Sequence, residues 1–548
     1  MNKLYYGDNL TVLKNTIDDG SVDLIYLDPP FNSQATYNVL FKSTAGEKFQ
    51  ARIEAFEDTW HWGDEAELAF DGVMTSGNSG AAEMLRAMRS FLKETDIMAY
   101  IAMMAVRLLE LNRVMKPTGS LYLHCDPAAS HYLKLVLDAI FGPTRFRNEI
   151  IWKRTSARSD SHRWNHIHDV LLFYSKSDKY TWNTQYTSYD EQYIGDSYGN
   201  HDAEGRPFKS DDLTAAGTRS GESGKPWRGI DPTSKGRHWA LPRNIIEPLG
   251  ITGGTVQERL EQIESGGRML WPGKKGGVPR FKRYLDEMSG VAIQSIVSDI
   301  PPLSAQSAER LGYPTQKPLA LLERIINASS NAGDIVLDPF CGCGTTIHAS
   351  QKLKREWTGI DITHLAISLI EKRLKDAFPG IKYEIHGTPE DLDGARSLAE
   401  RDKYQFQWWA VSLVNAVPFG GKKKGADSGI DGLIYFKPEG KNTEKAIVSV
   451  KGGDNVNVAM VRDLAHVVDR ENAKIGVFIT LAESTGPMRT EAVKCGYYET
   501  IYGKYPKIQI LTVRELFEGK LPNIPLVDSA TFKKAAKEII GEQDLLKF

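Results

Sequence analysis

Apolar residues in the first 180 positions fall into short runs separated by stretches of helical period. Residues 22–27 (VDLIYL) are stopped by Asp28-Pro29-Pro30, which predicts a buried parallel strand ending at the prolines. Residues 96–114 carry apolar side chains at helical spacing and meet Lys116-Pro117-Thr118-Gly119, predicting a helix with a firm stop. Residues 120–124 (SLYLH) and 170–174 (VLLFY) read as further strands, with a helix over 132–141 between them. From 177 to 311 the pattern fades into a stretch rich in Gly, Ser, Tyr, Trp and Arg. It resumes with a helix over 318–329, a strand over 334–337, a helix over 347–354 and a strand over 357–360. This alternation predicts a doubly wound α/β sheet. A charged segment at 389–401 reads as a connector to a smaller α/β pattern, with strands at 446–450, 475–480 and 508–511.

Composition narrows the class without naming it. At 548 residues the chain is long enough for roughly three to four domains. Its 41% hydrophobic and 25% charged content is ordinary for a globular protein. A formal net charge of -2 means that any basic surface must be local. Cys125, Cys341, Cys343 and Cys495 are too few for a disulfide framework, and the lone C-x-C pair argues against structural zinc. No apolar run approaches the ~20 residues of a membrane span, and the start, Met1-Asn2-Lys3-Leu4-Tyr5, is unlike a signal peptide. The expectation is a reduced, cytoplasmic protein.

Two loops at predicted strand ends carry chemistry. In open α/β sheets ligands bind at the carboxyl ends of strands. Asp28-Pro29-Pro30-Phe31 sits at one such end. An exocyclic amine on a nucleobase is a poor nucleophile, because its lone pair is conjugated into the ring. A carboxylate beside a backbone carbonyl can hold the N–H groups so that the lone pair turns outward. Tandem proline fixes that geometry and offers no competing N–H, and an aromatic ring can stack on an extruded base. Alone, the tetrapeptide reads more simply as a turn. The second loop, Asp338-Pro339-Phe340-Cys341-Gly342-Cys343-Gly344-Thr345-Thr346, follows a strand and opens a helix. Its glycines permit close backbone approach, yet it lacks both the dinucleotide and the P-loop fingerprints. Asp361, one βαβ step later, is placed to meet ribose hydroxyls. A nucleoside cofactor without a polyphosphate fits, and a glycine turn needed only for packing remains the alternative.

Taken as a pair, these loops resemble the DNA amino-methyltransferases in their β arrangement, with the catalytic motif first, target recognition next and the cofactor motif last. Asp28-Pro29-Pro30-Phe31 matches the catalytic motif, 338–344 the D-P-F-x-G-x-G cofactor loop, Gln316-Lys317-Pro318 the segment preceding it, and Gly7-Asp8-Asn9 a short upstream motif. The resemblance covers residues 1 to about 175 and 310 to 390. It implies a Rossmann-like methyltransferase sheet using S-adenosylmethionine. Asp338 and Gly342 would cradle the methionine end, Asp361 the ribose, and Asp8 would lie near the adenine, with Lys317, Phe340, Gly344 and Thr345 also contacting the cofactor. Asp rather than Ser at position 28 leans toward adenine N6, with cytosine N4 as the alternative.

The resemblance divides the chain into a catalytic half (1–176), a target-recognition region (177–310) and a cofactor-binding half (311–392). In the middle region Arg219, Lys225, Arg228, Lys235, Arg237 and Arg243 are interleaved with Trp227, His238 and Trp239. Arg268, Lys274, Lys275, Arg280, Lys282 and Arg283 follow with no acid among them. Arg219, Arg228, Arg237, Lys274 and Lys275 are the candidates for docking double-stranded DNA. Lys153, Arg154, Arg158 and Arg163 extend that surface. A homodimer is left open.

Residues 400–548 carry a different signature. A helix over 404–414 precedes Gly425-Ala426-Asp427-Ser428-Gly429-Ile430-Asp431-Gly432, and a strand ends in Ser449-Val450-Lys451. The pattern resembles restriction-endonuclease-like domains of the Mrr type, in which carboxylates hold Mg²⁺ and lysine orients the attacking water. Ser449 stands where that pattern expects Glu or Gln, so Asp431 would hold a metal only with help from Asp427 or a carbonyl. Mg²⁺ is therefore expected only if the domain cleaves DNA. Active nuclease, DNA-binding tail and inert fold all remain open at this point.

Overall fold

In the computed structural model the described residues are 1–30, 61–155, 162, 164–273, 277–304, 306–307, 309–311, 313, 315–419, 429–438, 443–525 and 538, with the backbone of strands 36–41 and 51–57. Phe31, Arg158, Arg163, Lys274, Lys275 and Asp427 lie outside them.

The apolar runs read from the sequence become the centre of a nine-stranded sheet. In chain order its strands are β1 (Lys3–Tyr6), β2 (Val22–Leu27), β3 (Met115–Cys125), β4 (Phe146–Lys153), β5 (His168–Ser175), β6 (Ile296–Val297), β7 (Ile335–Asp338), β8 (Glu356–Asp361) and β9 (Glu384–His386). Their spatial order is β6-β4-β5-β3-β2-β7-β8-β1-β9. All neighbours run parallel except β5, which is antiparallel to both β3 and β4. Four consecutive parallel strands, β2-β7-β8-β1, therefore present their carboxyl ends side by side. The registers Ile25↔Leu337, Asp338↔Gly359 and Tyr6↔Asp361 bring their exits level.

Helices pack on both faces. Helix α1 (Asp96–Val114) begins and ends where its apolar spacing predicts, and it is buried along most of its length. Strand β3 starts earlier than expected, at Met115, and bulges away from β2 over Lys116-Pro117-Thr118-Gly119 before pairing resumes at Leu24↔Ser120. Helix and strand thus adjoin without a loop. The following helix begins at Pro127, not Tyr132, because Asp126 caps it by accepting from Ala128 N and Ala129 N at 3.1 and 3.0 Å.

The weakly patterned region forms a separate unit, Thr184–Ile293. It holds a four-stranded sheet ordered Met269–Leu270, Arg280–Tyr284, Pro207–Asp212, Asn200–His201. Its own core includes Trp227, Trp239, Ile246, Leu260 and Phe281. The two tryptophans are 5% and 2% exposed, so they are core residues of this unit.

The C-terminal segment builds a five-stranded sheet ordered Val417–Pro418, Gly432–Phe436, Glu444–Lys451, Ile475–Thr480, Ile508–Thr512. Residues 389–401, read as a connector, form helix α2 (Leu392–Arg401), followed directly by α3 (Lys403–Leu413). Both carry apolar side chains into a core shared with the large sheet: Phe406, Trp409 and Val411 join the same cluster as Tyr6, Trp357 and Ile370. Among the described residues no helix is long and apolar enough to cross a membrane.

Candidate active site

Exits of the four level strands surround one cavity of about 260 Å³. Gly7-Asp8-Asn9 leaves β1, Asp361-Ile362-Thr363 leaves β8, Asp338 to Thr346 leaves β7, and Asp28-Pro29-Pro30 leaves β2. Tyr313, Thr315, Gln316 and Lys317 complete the wall. Two motifs 310 positions apart in sequence thus share one pocket because β2 and β7 are neighbours.

The glycine turn depends on its glycines. Gly344 has φ +75° and is the N-cap of helix Thr345–Lys352, and a Cβ there would lie 2.7 Å from Ile370 Cγ1. Gly342 has φ +49° and donates its N–H to Asp361 Oδ2 at 2.9 Å. Asp361 also accepts from Thr363 N and Oγ1, each at 2.9 Å, so it ties the turn to β8 while bordering the cavity. Phe340 N donates to Asp338 Oδ1 at 3.0 Å. Behind the turn, buried Arg373 donates to Cys343 O at 3.2 Å and Thr345 Oγ1 at 3.1 Å.

Four carboxylates, of Asp8, Asp28, Asp338 and Asp361, border the cavity. Burial, with the charges of Asp28 and Asp361 nearby, pushes Asp338 up to about 7, against hydrogen bonds from Thr346 and Phe340. Burial likewise pushes Asp361 up to about 6, against its bonds to Thr363 and Gly342. An acidic, desolvated pocket of this kind suits a cation. S-adenosylmethionine carries two, a sulfonium and an α-ammonium, so the donor set fits the cofactor implied by the sequence.

Asp8 caps helix Asn9–Thr16 through Thr11 N at 3.0 Å and pairs with Arg107 Nη2 at 2.7 Å. Arg107 Nε also donates to Asn9 Oδ1 at 2.6 Å, and Asn9 Nδ2 reaches Pro339 O at 2.8 Å. This bridge locks the first turn to the cofactor loop. Arg107 carries no motif, and an arginine inside the apolar pattern of α1 was the one available signal. Lys317 lines the cavity and also reaches the catalytic loop. Its ammonium is ion-paired with Asp28, which joins the segment expected to hold cofactor to the catalytic carboxylate.

Of the proposed DNA contacts, Arg219 is exposed. Arg228 pairs with Glu261 and Glu264 at 2.8 and 2.7 Å, and Arg237 donates to Thr214 Oγ1 and O, each at 2.7 Å. Both of the latter already serve the fold of their own unit.

In the C-terminal domain Asp431 is 8% exposed, and both of its oxygens are engaged. Val450 N donates to Oδ2 at 2.6 Å, and the Gln407 amide donates to Oδ1. Gln407, on α3, was missed because a neutral glutamine in a helix carries no nuclease signature. Among the described residues no group of three His, Cys, Asp or Glu is arranged to hold a metal.

The DNA methylase family matches residues 22–372. The chain belongs to that family. Residues 398–505 match a restriction endonuclease family. Among curated relatives of this DNA methylase, the type II methyltransferase M.EcaI of Enterobacter cloacae is 29% identical over 68% of the chain and 69% of its own length. The type III StyLTI Mod subunit of Salmonella typhimurium is 26% identical over 64% of the chain but half its own length. The crystal structure of an M1.HpyAVI–SAM complex aligns over 68% of the chain and 100% of its own, at 15% identity and a TM-score of 0.29.

Proposed function

We propose that this DNA methylase transfers a methyl group from S-adenosylmethionine to an exocyclic amine of a base extruded from double-stranded DNA, with adenine N6 as the target. The observation that carries the proposal is the meeting of Asp28-Pro29-Pro30 and the 338–346 turn in one acidic cavity. When bound, the cofactor supplies an electrophilic methyl group on sulfur. Asp338, Asp361 and the glycine turn would hold its cationic and ribose parts. Asp28 and the Pro29 carbonyl accept the amine's N–H groups, which turns the nitrogen lone pair toward the donor; the task is positioning. Adenine is favoured by Asp at position 28. Incubation with labelled S-adenosylmethionine and DNA of varied sequence, followed by digestion to nucleosides, should yield N6-methyladenine. N4-methylcytosine as the sole product would overturn the target, and Asp28→Ala should abolish product while cofactor still binds.

A second proposal concerns the C-terminal domain, which serves here as a DNA-docking module that does not cut. Its support is the donor set. Each oxygen of Asp431 already accepts a hydrogen bond, from Gln407 and from the Val450 amide, and Ser449 is a weak metal ligand. Mg²⁺-dependent cleavage of unmethylated DNA, lost in Lys451→Ala, would refute this reading.

A further inference from the structure

We infer that Tyr26, His124 and Asp169 form a relay that accepts the proton shed by the target amine; this rests on the amino-methylation proposed above. The three residues lie on adjacent strands, β2, β3 and β5. Tyr26 Oη is 2.8 Å from His124 Nδ1, and His124 Nε2 is 3.2 Å from Asp169 Oδ2. They are 2%, 0% and 0% exposed, yet Tyr26 lines the same cavity as Asp28 and Pro29. Around them the sheet is packed with Leu24, Leu171, Phe173 and Trp152. Burying a carboxylate and an imidazole in such surroundings carries a desolvation cost that an apolar trio would not.

The direction of the hydrogen bonds follows from chemistry. Burial opposes charge on Asp169, but the hydrogen bond from His124 and the cations of Lys317 and Arg154 hold its carboxyl below the ordinary range. Arg154 Nη1 lies 3.3 Å from its Oδ1. A carboxylate only accepts, so Nε2 carries the ring hydrogen. In the neutral ring Nδ1 then accepts, and the Tyr26 hydroxyl donates to it. The relay is loaded to take one proton at its cavity end.

Amino methylation releases one proton for each methyl gained. As the N–C bond forms and the S–C bond breaks, an N–H bond of the amine must also break. Asp28, the nearest obvious acceptor, is already paired with Lys317. In the relay the amine proton passes to the Tyr26 oxygen while the Tyr26 hydroxyl proton moves to Nδ1. Tyr26 stays neutral, and the positive charge that began on sulfur ends on an imidazolium facing the Asp169 carboxylate. The proton returns through Tyr26 once the cavity opens to water. Tyr26 is the catalytic residue of the set; His124 and Asp169 are positioning residues.

The test combines kinetics with a spectroscopic readout on the protein alone. Tyr26→Phe and His124→Gln should each slow single-turnover methylation by about 100-fold, the usual scale of proton-transfer catalysis. Affinities for cofactor and DNA should stay within about twofold, and the double variant should be no slower than the slower single one. Tyr122→Phe is the control: it loses a hydroxyl on β3 bonded at 2.7 Å to Ser329 Oγ at the end of helix Leu319–Ser329, and it should methylate at the normal rate. ¹⁵N-histidine spectra without cofactor should place the His124 hydrogen on Nε2, with the Nδ1 resonance displaced in Tyr26→Phe. A normal rate in Tyr26→Phe, independent effects of the two substitutions, or a hydrogen found on Nδ1 would each refute the relay. Unmodified DNA after incubation with the unaltered protein would overturn the enzymatic function instead.

Discussion

Asp338 and Asp361 face a conflict that only a ligand resolves. Their carboxyl groups are raised to about 7 and about 6, above the ordinary carboxylate range, because both are buried, Asp338 with the charges of Asp28 and Asp361 nearby. A group whose folded pKa is raised holds its proton more tightly in the native state. The ligand-free protein should therefore lose stability as pH climbs from about 4 to 7, where the unfolded chain has released protons that the native one still keeps. A cationic cofactor reverses the balance by favouring the ionised forms, so its binding expels protons. Calorimetry should show S-adenosylmethionine affinity rising between pH 5.5 and 8, roughly tenfold for each full proton displaced per pH unit below about 7. S-adenosylhomocysteine lacks the sulfonium and should show a flatter profile. Equal slopes for the two ligands would place the sulfonium away from these acids.

The element that concentrates the design is the turn between β7 and its helix. At Gly344 an added methyl would meet Ile370 at 2.7 Å in a backbone conformation that L residues adopt at a cost of about 1–2 kcal/mol. Gly344→Ala should lower the melting temperature by several degrees and weaken cofactor binding at least tenfold, read by thermal shift with and without ligand. An unchanged cofactor affinity would show that the turn is not part of the binding site. This turn was legible in the sequence because its chemistry is local: a strand, an acid, glycines and a helix within a dozen positions. Asp28-Pro29-Pro30 was legible for the same reason. What escaped was contact between distant elements. Arg107 reaches Asp8 and Asn9 across almost 100 positions, and Tyr26 meets His124 only because β2 and β3 pair. Short strands such as β1 and β9 carry too few residues for a periodic signal, and the small sheets of Thr184–Ile293 are likewise built from pieces two to six residues long.

Across the large sheet and the C-terminal domain, no boundary separates two cores. Trp408 and Val417 pack with Tyr313, Cys343, Leu365 and Leu369, directly behind the cofactor turn. Gln405 Oε1 accepts from His364 N at 3.2 Å, and the ring of His364 stacks on Tyr6 at 3.6 Å. Removing a buried tryptophan costs about 3–5 kcal/mol. Trp408→Ala should therefore destabilise the methylase half and weaken cofactor binding, although Trp408 is not among the residues lining the cavity. A chain cut after residue 392 should be insoluble or fail to bind cofactor. Full activity in that shortened chain would show that the shared core is dispensable.

That shared packing has a genetic corollary. A premature stop or frameshift near codon 400 would not yield a leaner methylase that has shed its tail. It would silence DNA marking along with whatever the tail does, so both traits would be inherited or lost as one.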